Sequence, residues 1–199
     1  MTWSSKYKKS INCHRPKGFS QKQYCKFGRT KSKGGHRKIN LPIQAIAVFN
    51  NEKIKGYVLF TEDLKNKYVN VSINLKGLTR NHKHGFHVHE CGDLTNSCES
   101  LCAHFNPYNK THGDRDDKIR HVGDLGNLES NEFGNANYTF NDSLIKLRGN
   151  KANIIGRSLI IHMDTDDCGR GNHKDSLTTG NSGKRIACAI IGYSNTTIH

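Results

Sequence analysis

At 199 residues the chain suits one domain with a sizeable core, and two domains are not required. Its net charge of +14 points at first to nucleic acid, but twelve of the 31 Lys and Arg and none of the 17 Asp and Glu fall in residues 1–40. The charge therefore belongs to a basic tail on a nearly neutral body. No apolar run reaches the length of a membrane span, which excludes a transmembrane segment, and no apolar stretch near the N-terminus could act as a secretory signal, so a cytoplasmic location is expected.

Residues 1–41 mix Lys, Ser, Gly and Gln with scattered aromatics and show neither a strand nor a helix period, so a disordered extension is expected ahead of a domain over 42–199. Cys13, His14, Cys25 and His36 in that extension could hold a metal, or the two cysteines could close a small loop, but their spacing fits no standard zinc module. The density of basic charge over residues 1–40 suits a polyanion such as nucleic acid or an acidic surface, with a solubilising arm as the alternative.

From Pro42 the texture changes. Ile43, Ala45 and Ala47 alternate with their neighbours, and a second short run, Lys53 to Phe60, follows a turn at Asn50-Asn51. Val69, Val71, Ile73 and Leu75 alternate with Asn70, Ser72, Asn74 and Lys76, which predicts a strand with one buried and one wet face. Further short β-like runs fall at 84–89, 124–129, 136–140, 157–162 and 186–192, the last apolar enough for a central strand. With no sustained helical stripe, eight short strands joined by Gly, Asn and Asp turns predict an antiparallel sandwich or barrel. Two connections, Cys91 to Arg120 and Met163 to Lys184, far exceed the usual loop of roughly 4–6 residues and carry metal-binding residue types.

In Gly85-Phe86-His87-Val88-His89 the two histidines are two apart on a predicted strand, so both imidazoles leave one face while Phe86 and Val88 enter the other. Alone this pattern is weak. The loop that follows adds His104, His112, His121 and Asp124, and His162 ends the strand 157–162. Three imidazoles and a carboxylate suit a closed tetrahedral zinc site, and the remaining histidines suit copper.

Four segments carry a resemblance in matching order: Gly85 to Asp93, His104-Phe105-Asn106-Pro107, His121 to Asn127 and Gly180 to Cys188. Together they resemble the copper/zinc superoxide dismutase family from about residue 42 to the C-terminus. The resemblance implies an eight-stranded Greek-key barrel with two long functional loops. It assigns His87, His89, His104 and His162 to copper and His104, His112, His121 and Asp124 to zinc, with His104 shared between the two. It makes Asp166 the carboxylate that accepts hydrogen bonds from His87 and His112, a choice that the residues alone do not make between Asp166 and Asp167. Arg185 becomes the guanidinium that attracts superoxide, and Cys98 and Cys188 a disulfide. Implied partners are superoxide, a second copy of the chain in a homodimer, and a copper chaperone.

Two departures from the family pattern stand out. Cys91 replaces an aromatic beside the expected dimer contact, and Gly171-Asn172-His173-Lys174-Asp175 replaces an acidic pair with a more basic segment, which predicts altered long-range attraction of the anion. Cys102 and Cys168 are expected to be free thiols.

Overall fold

A computed structural model describes residues 11–15, 17, 21 and 42–195. The chain divides into two units, Met1–Asn40 and Leu41–His199. In the first, Cys13 is disulfide-bonded and His14 is exposed; Cys25 and His36, like most of the predicted extension, lie outside the described residues. No helix among the described residues is long and apolar enough to cross a membrane.

The second unit holds eight antiparallel strands: β1 (Gln44–Asn50), β2 (Lys55–Asp63), β3 (Tyr68–Lys76), β4 (Lys83–His89), β5 (Asp124–Glu129), β6 (Ala136–Asp142), β7 (Ser158–His162) and β8 (Arg185–Tyr193). All eight predicted runs are strands, and the one helix of this unit among the described residues is a single turn, α1 (Ser176–Thr179), inside the second long loop. The strands run in the order β5-β4-β7-β8-β1-β2-β3-β6, and β5 comes near β6 at the far edge, which nearly closes a Greek-key barrel. Closure of this kind leaves few free strand edges.

Period-2 alternation sets which face is buried. In β3, Val69, Val71, Ile73 and Leu75 are buried, and they pair in register with β2, where Phe60 sits opposite Val71 and Val58 opposite Ile73. Ala45, Ala47 and Phe49 of β1 and Ala187, Ala189 and Ile191 of β8 complete this part of the core. Each fully buried Val, Ile, Leu or Phe stabilises the fold by about 1.5–3 kcal/mol, less what the unfolded chain already buries. β8 lies between β7 and β1, the central position its composition predicts.

β4 is buried at every residue after Lys83, as β7 is along its whole length. Phe86 and Val88 enter the core, while His87 and His89 bond to Asp166 and Cys102 of the two long loops. Register shifts sit between Gly85 and His87 against β5, and between Ile161 and His162 against β7's partner β8. Shifts of this kind re-aim side chains next to sites. They set His87 opposite Asp124 and His162 opposite Arg185.

Candidate metal centre

His87 and His89 come from β4, His162 from the end of β7 and Asp124 from the start of β5, whereas His104, His112 and His121 come from the loop between β4 and β5. That loop returns along β4. His89 pairs with His104 as an isolated antiparallel bridge, Glu90 N–H donates to Ala103 O at 2.9 Å, and Phe105 N–H donates to Val88 O at 2.9 Å. Residues distant in sequence are thereby held in one place by backbone bonds.

Among the described residues two groups could hold a metal ion, with donor atoms within 4.8 Å of one another: His87, His89, His104 and His162, and His87, His104, His112 and Asp124. All are buried. In the first group each ring has one nitrogen engaged. His87 Nε2 donates to Asp166 Oδ2 at 2.7 Å, His89 Nδ1 to Cys102 O at 2.9 Å and His162 Nδ1 to Gly183 O at 3.1 Å, while His104 Nδ1 lies 2.9 Å from Asp124 Oδ1. The other nitrogen of each, Nδ1 of His87 and Nε2 of His89, His104 and His162, is buried with no hydrogen-bond partner. Four orphaned imidazole nitrogens in one spot are costly unless they share a cation. Burial holds all four rings below the usual histidine range, His162 at about 4, so their lone pairs are free at neutral pH.

The second group centres on one oxygen. Asp124 Oδ1 lies 2.9 Å from His104 Nδ1, 3.0 Å from His112 Nδ1 and 3.1 Å from His121 Nδ1. Its Oδ2 accepts from the backbone N–H of His121 at 2.8 Å. Burial opposes ionisation of Asp124, but the surrounding imidazoles outweigh it and hold the carboxyl far below the usual range. Three ring nitrogens around a carboxylate oxygen form the donor set that zinc takes. His121 stands at the margin: it reaches Asp124 but is not part of the tighter four-donor group, which has His87 instead.

Asp166 ties the two groups together. Besides its bond to His87, its Oδ1 accepts from His112 Nε2 at 2.8 Å. Asp167 does something different, accepting from Ser176 Oγ at 2.6 Å. For His112, burial works against the charged ring, but the Asp124 and Asp166 carboxylates outweigh it and raise the group to about 9. Two further residues, Asn127 and Gly180, support Asp166. Asn127 Oδ1 accepts from Asp166 N–H at 2.8 Å and its Nδ2 donates to Asp166 O at 3.0 Å. Gly180, at φ 65°, leaves the space that Asp166 fills: a Cβ there would stand 1.7 Å from Asp166 Oδ1.

Arg185, at the start of β8, donates through Nη1 to Cys98 O at 2.6 Å and Glu99 O at 3.2 Å, and through Nη2 to Cys102 O at 2.6 Å. Cys98 is bonded to Cys188, which ties this loop to β8. Cys102 corrects the expectation of a free thiol, because it is bonded to Cys91. The backbone pairing begun by His89 and His104 continues outward through Cys91 N–H to Leu101 O at 3.3 Å, which brings the two cysteines to a Cα separation of 5.5 Å. Cys168 is a free, half-buried thiol, and burial pushes it up to about 12.

Fold and donor geometry define a class: a β-barrel protein with adjoining all-histidine and histidine–carboxylate sites able to hold metal ions. The profile of copper/zinc superoxide dismutase (SODC) matches residues 54–191. The chain is 55% identical over 156 residues to superoxide dismutase [Cu-Zn] of Paramecium bursaria Chlorella virus 1, covering 78% of this chain and 81% of that one. It is 50% identical over 151 residues to superoxide dismutase [Cu-Zn] of Schizosaccharomyces pombe, covering 75% and 97%. It is also 50% identical over 159 residues to the extracellular superoxide dismutase [Cu-Zn] of Drosophila melanogaster, covering 77% and 87%. The crystal structure of the clock protein EA4 superposes with a TM-score of 0.74 at 42% identity, covering 80% of this chain and 99% of that one. The chain belongs to the copper/zinc superoxide dismutase family.

Proposed function

We propose that this chain converts two superoxide anions and two protons into dioxygen and hydrogen peroxide, one superoxide giving up the electron that the other receives. The observation that carries this reading is the quartet of buried imidazole nitrogens without partners, next to the fixed guanidinium of Arg185. Copper held by His87, His89, His104 and His162 would supply the one-electron redox chemistry, and zinc held by His104, His112, His121 and Asp124 would order the loop without redox chemistry of its own.

The side chains do the rest. Arg185 offers an anion a positive donor that needs no reorganisation, since both of its ends are anchored on loop carbonyls. His104 faces both donor groups and can hold a proton at Nε2 whenever that nitrogen is not bound to a metal, which makes it a proton store beside the redox site. Asp166 orients His87 and His112 together, so the two groups share one positioning carboxylate. Superoxide consumption by metal-loaded protein, with His89→Ala as the control, tests the proposal.

Three partner assignments accompany it. A homodimer would use the face near Cys91, where Gly156 packs its carbonyl against Gly92 and leaves open space on its own flank; sedimentation tests it. A copper chaperone would deliver the copper, and loading by free copper alone would remove the need for one. Residues 1–40 would bind a polyanion, tested by salt-sensitive retention on heparin or DNA that disappears when they are deleted. The cytoplasm is the proposed location, and cell fractionation decides between it and secretion, the location printed in the name of the Drosophila relative.

A further inference from the structure

The carbonyl of Cys102 is where two residues of the proposed site meet. His89 Nδ1 donates to it at 2.9 Å and Arg185 Nη2 at 2.6 Å. Cys102 presents that carbonyl from a backbone φ of 63°, a left-handed conformation that glycine adopts freely and other residues resist. A non-glycine residue stays in such a conformation only when its surroundings over-determine it. What is particular to Cys102 is its bond to Cys91, which closes an 11-residue separation across the base of the loop, next to the His89–His104 bridge.

We propose that the Cys91–Cys102 disulfide is a positioning device for the copper-site histidine and the anion-binding arginine: it fixes the Cys102 carbonyl that orients His89 through Nδ1 and Arg185 through Nη2. With Nδ1 engaged, the His89 tautomer is set and its buried Nε2, which has no other partner, is left for the metal. The Arg185 fork is anchored on both disulfides. Nη1 rests on the Cys98 carbonyl, tied to β8 through Cys188, and Nη2 rests on the Cys102 carbonyl, tied through Cys91 to the segment just after β4. The Cys91–Cys102 bond holds its side of the site independently of the Cys98–Cys188 bond.

This proposal rests on the assignment of His89 and Arg185 made above, and its test reads the hydrogen bond itself and not turnover. In reduced, metal-loaded, nitrogen-labelled protein, the His89 Nδ1–H resonance reports the bond to Cys102 O through its exchange with water. Azide affinity of the oxidised protein reports the placement of Arg185. Cys91→Ala combined with Cys102→Ser removes the bond and keeps a residue that resists positive φ. It is expected to speed exchange about tenfold and to weaken azide binding about threefold to tenfold, the effect of losing one hydrogen bond. Cys91→Ala combined with Cys102→Gly also lacks the bond but tolerates the conformation, and it is expected to recover most of both losses. Cys98→Ala combined with Cys188→Ala is expected to keep the His89 resonance protected, and this arm decides the matter if the serine variant does not fold. Wild-type exchange in the serine variant, no recovery in the glycine variant, or an unprotected His89 in the Cys98/Cys188 variant would each overturn the proposal. Failure of loaded wild-type protein to consume superoxide would instead count against the function.

Discussion

Asp166 and His112 are joined by a 2.8 Å bond between Oδ1 and Nε2 across 54 residues of sequence, with neither side chain exposed to solvent. The other carboxylate oxygen takes His87, so one residue of the second long loop orients a ring in each donor group. Replacing Asp166 by Asn removes the charge while nearly keeping the shape. Zinc affinity, measured by competition with a chromophoric chelator, is expected to fall about 10–100-fold, the usual cost of losing an outer-shell carboxylate. An unchanged affinity would mean that the rings are held by packing alone.

Arg185→Ala is expected to lower the second-order rate for superoxide about tenfold or more, and to flatten its dependence on ionic strength, because the anion loses a fixed positive donor. Arg185→Lys should fall between the two. It keeps the charge but cannot fork between Cys98 O and Cys102 O as the guanidinium does. Stopped-flow measurement of superoxide decay across a salt series distinguishes the three proteins.

The strands and the histidine constellation were legible because they depend on short-range pattern. Val69 to Leu75 alternates, and His87 and His89 must share a face if residues 84–89 form a strand. The resemblance supplied Asp166, which local sequence cannot tell from Asp167; the distinction lies in what each carboxylate meets in the fold, His87 and His112 for Asp166 and Ser176 for Asp167. The Cys91–Cys102 bond was missed because it depends on the loop pairing back along β4, a register visible only once His89 and His104 are seen opposite each other. Asn127 was visible as part of a motif, but its grip on the Asp166 backbone spans 39 residues and leaves no local mark.

The Cys98–Cys188 bond spans 90 residues and Cys91–Cys102 spans 11. On the chain-entropy model the first stabilises the fold by about 4–5 kcal/mol and the second by about 3 kcal/mol. Guanidinium denaturation of the metal-free double-alanine variants should reproduce that order. A smaller loss for the Cys98/Cys188 pair than for the Cys91/Cys102 pair would contradict it.

Metal-free protein is expected to be most stable near pH 6.5. Burial keeps His87, His89, His104 and His162 neutral in the fold, so below about 6.5 the unfolded chain takes up protons that the folded one refuses. The stability they contribute is complete above that pH and is lost as pH falls, for His162 down to about 4. Each such ring accounts for at most about 1.4 kcal/mol per pH unit. His112 has the opposite sign: raised to about 9, it contributes fully below about 6.5 and loses that contribution as pH rises through 9. With those four rings and His84, which burial also lowers, on the acid side and one ring on the alkaline side, the acid limb should be the steeper. Urea denaturation of chelator-treated protein from pH 4 to 9 measures both limbs, and an acid limb no steeper than the alkaline one would refute this assignment of charge.

Superoxide decay in the presence of the copper- and zinc-loaded chain, with metal content measured on the same sample, tests most directly whether this chain is a working dismutase. About one copper and one zinc per chain are expected, with rapid catalytic consumption of superoxide, dioxygen and peroxide formed in equal amounts, and loss of that activity in His89→Ala. A chain that holds both metals in full and leaves superoxide to decay at its spontaneous rate would contradict that expectation.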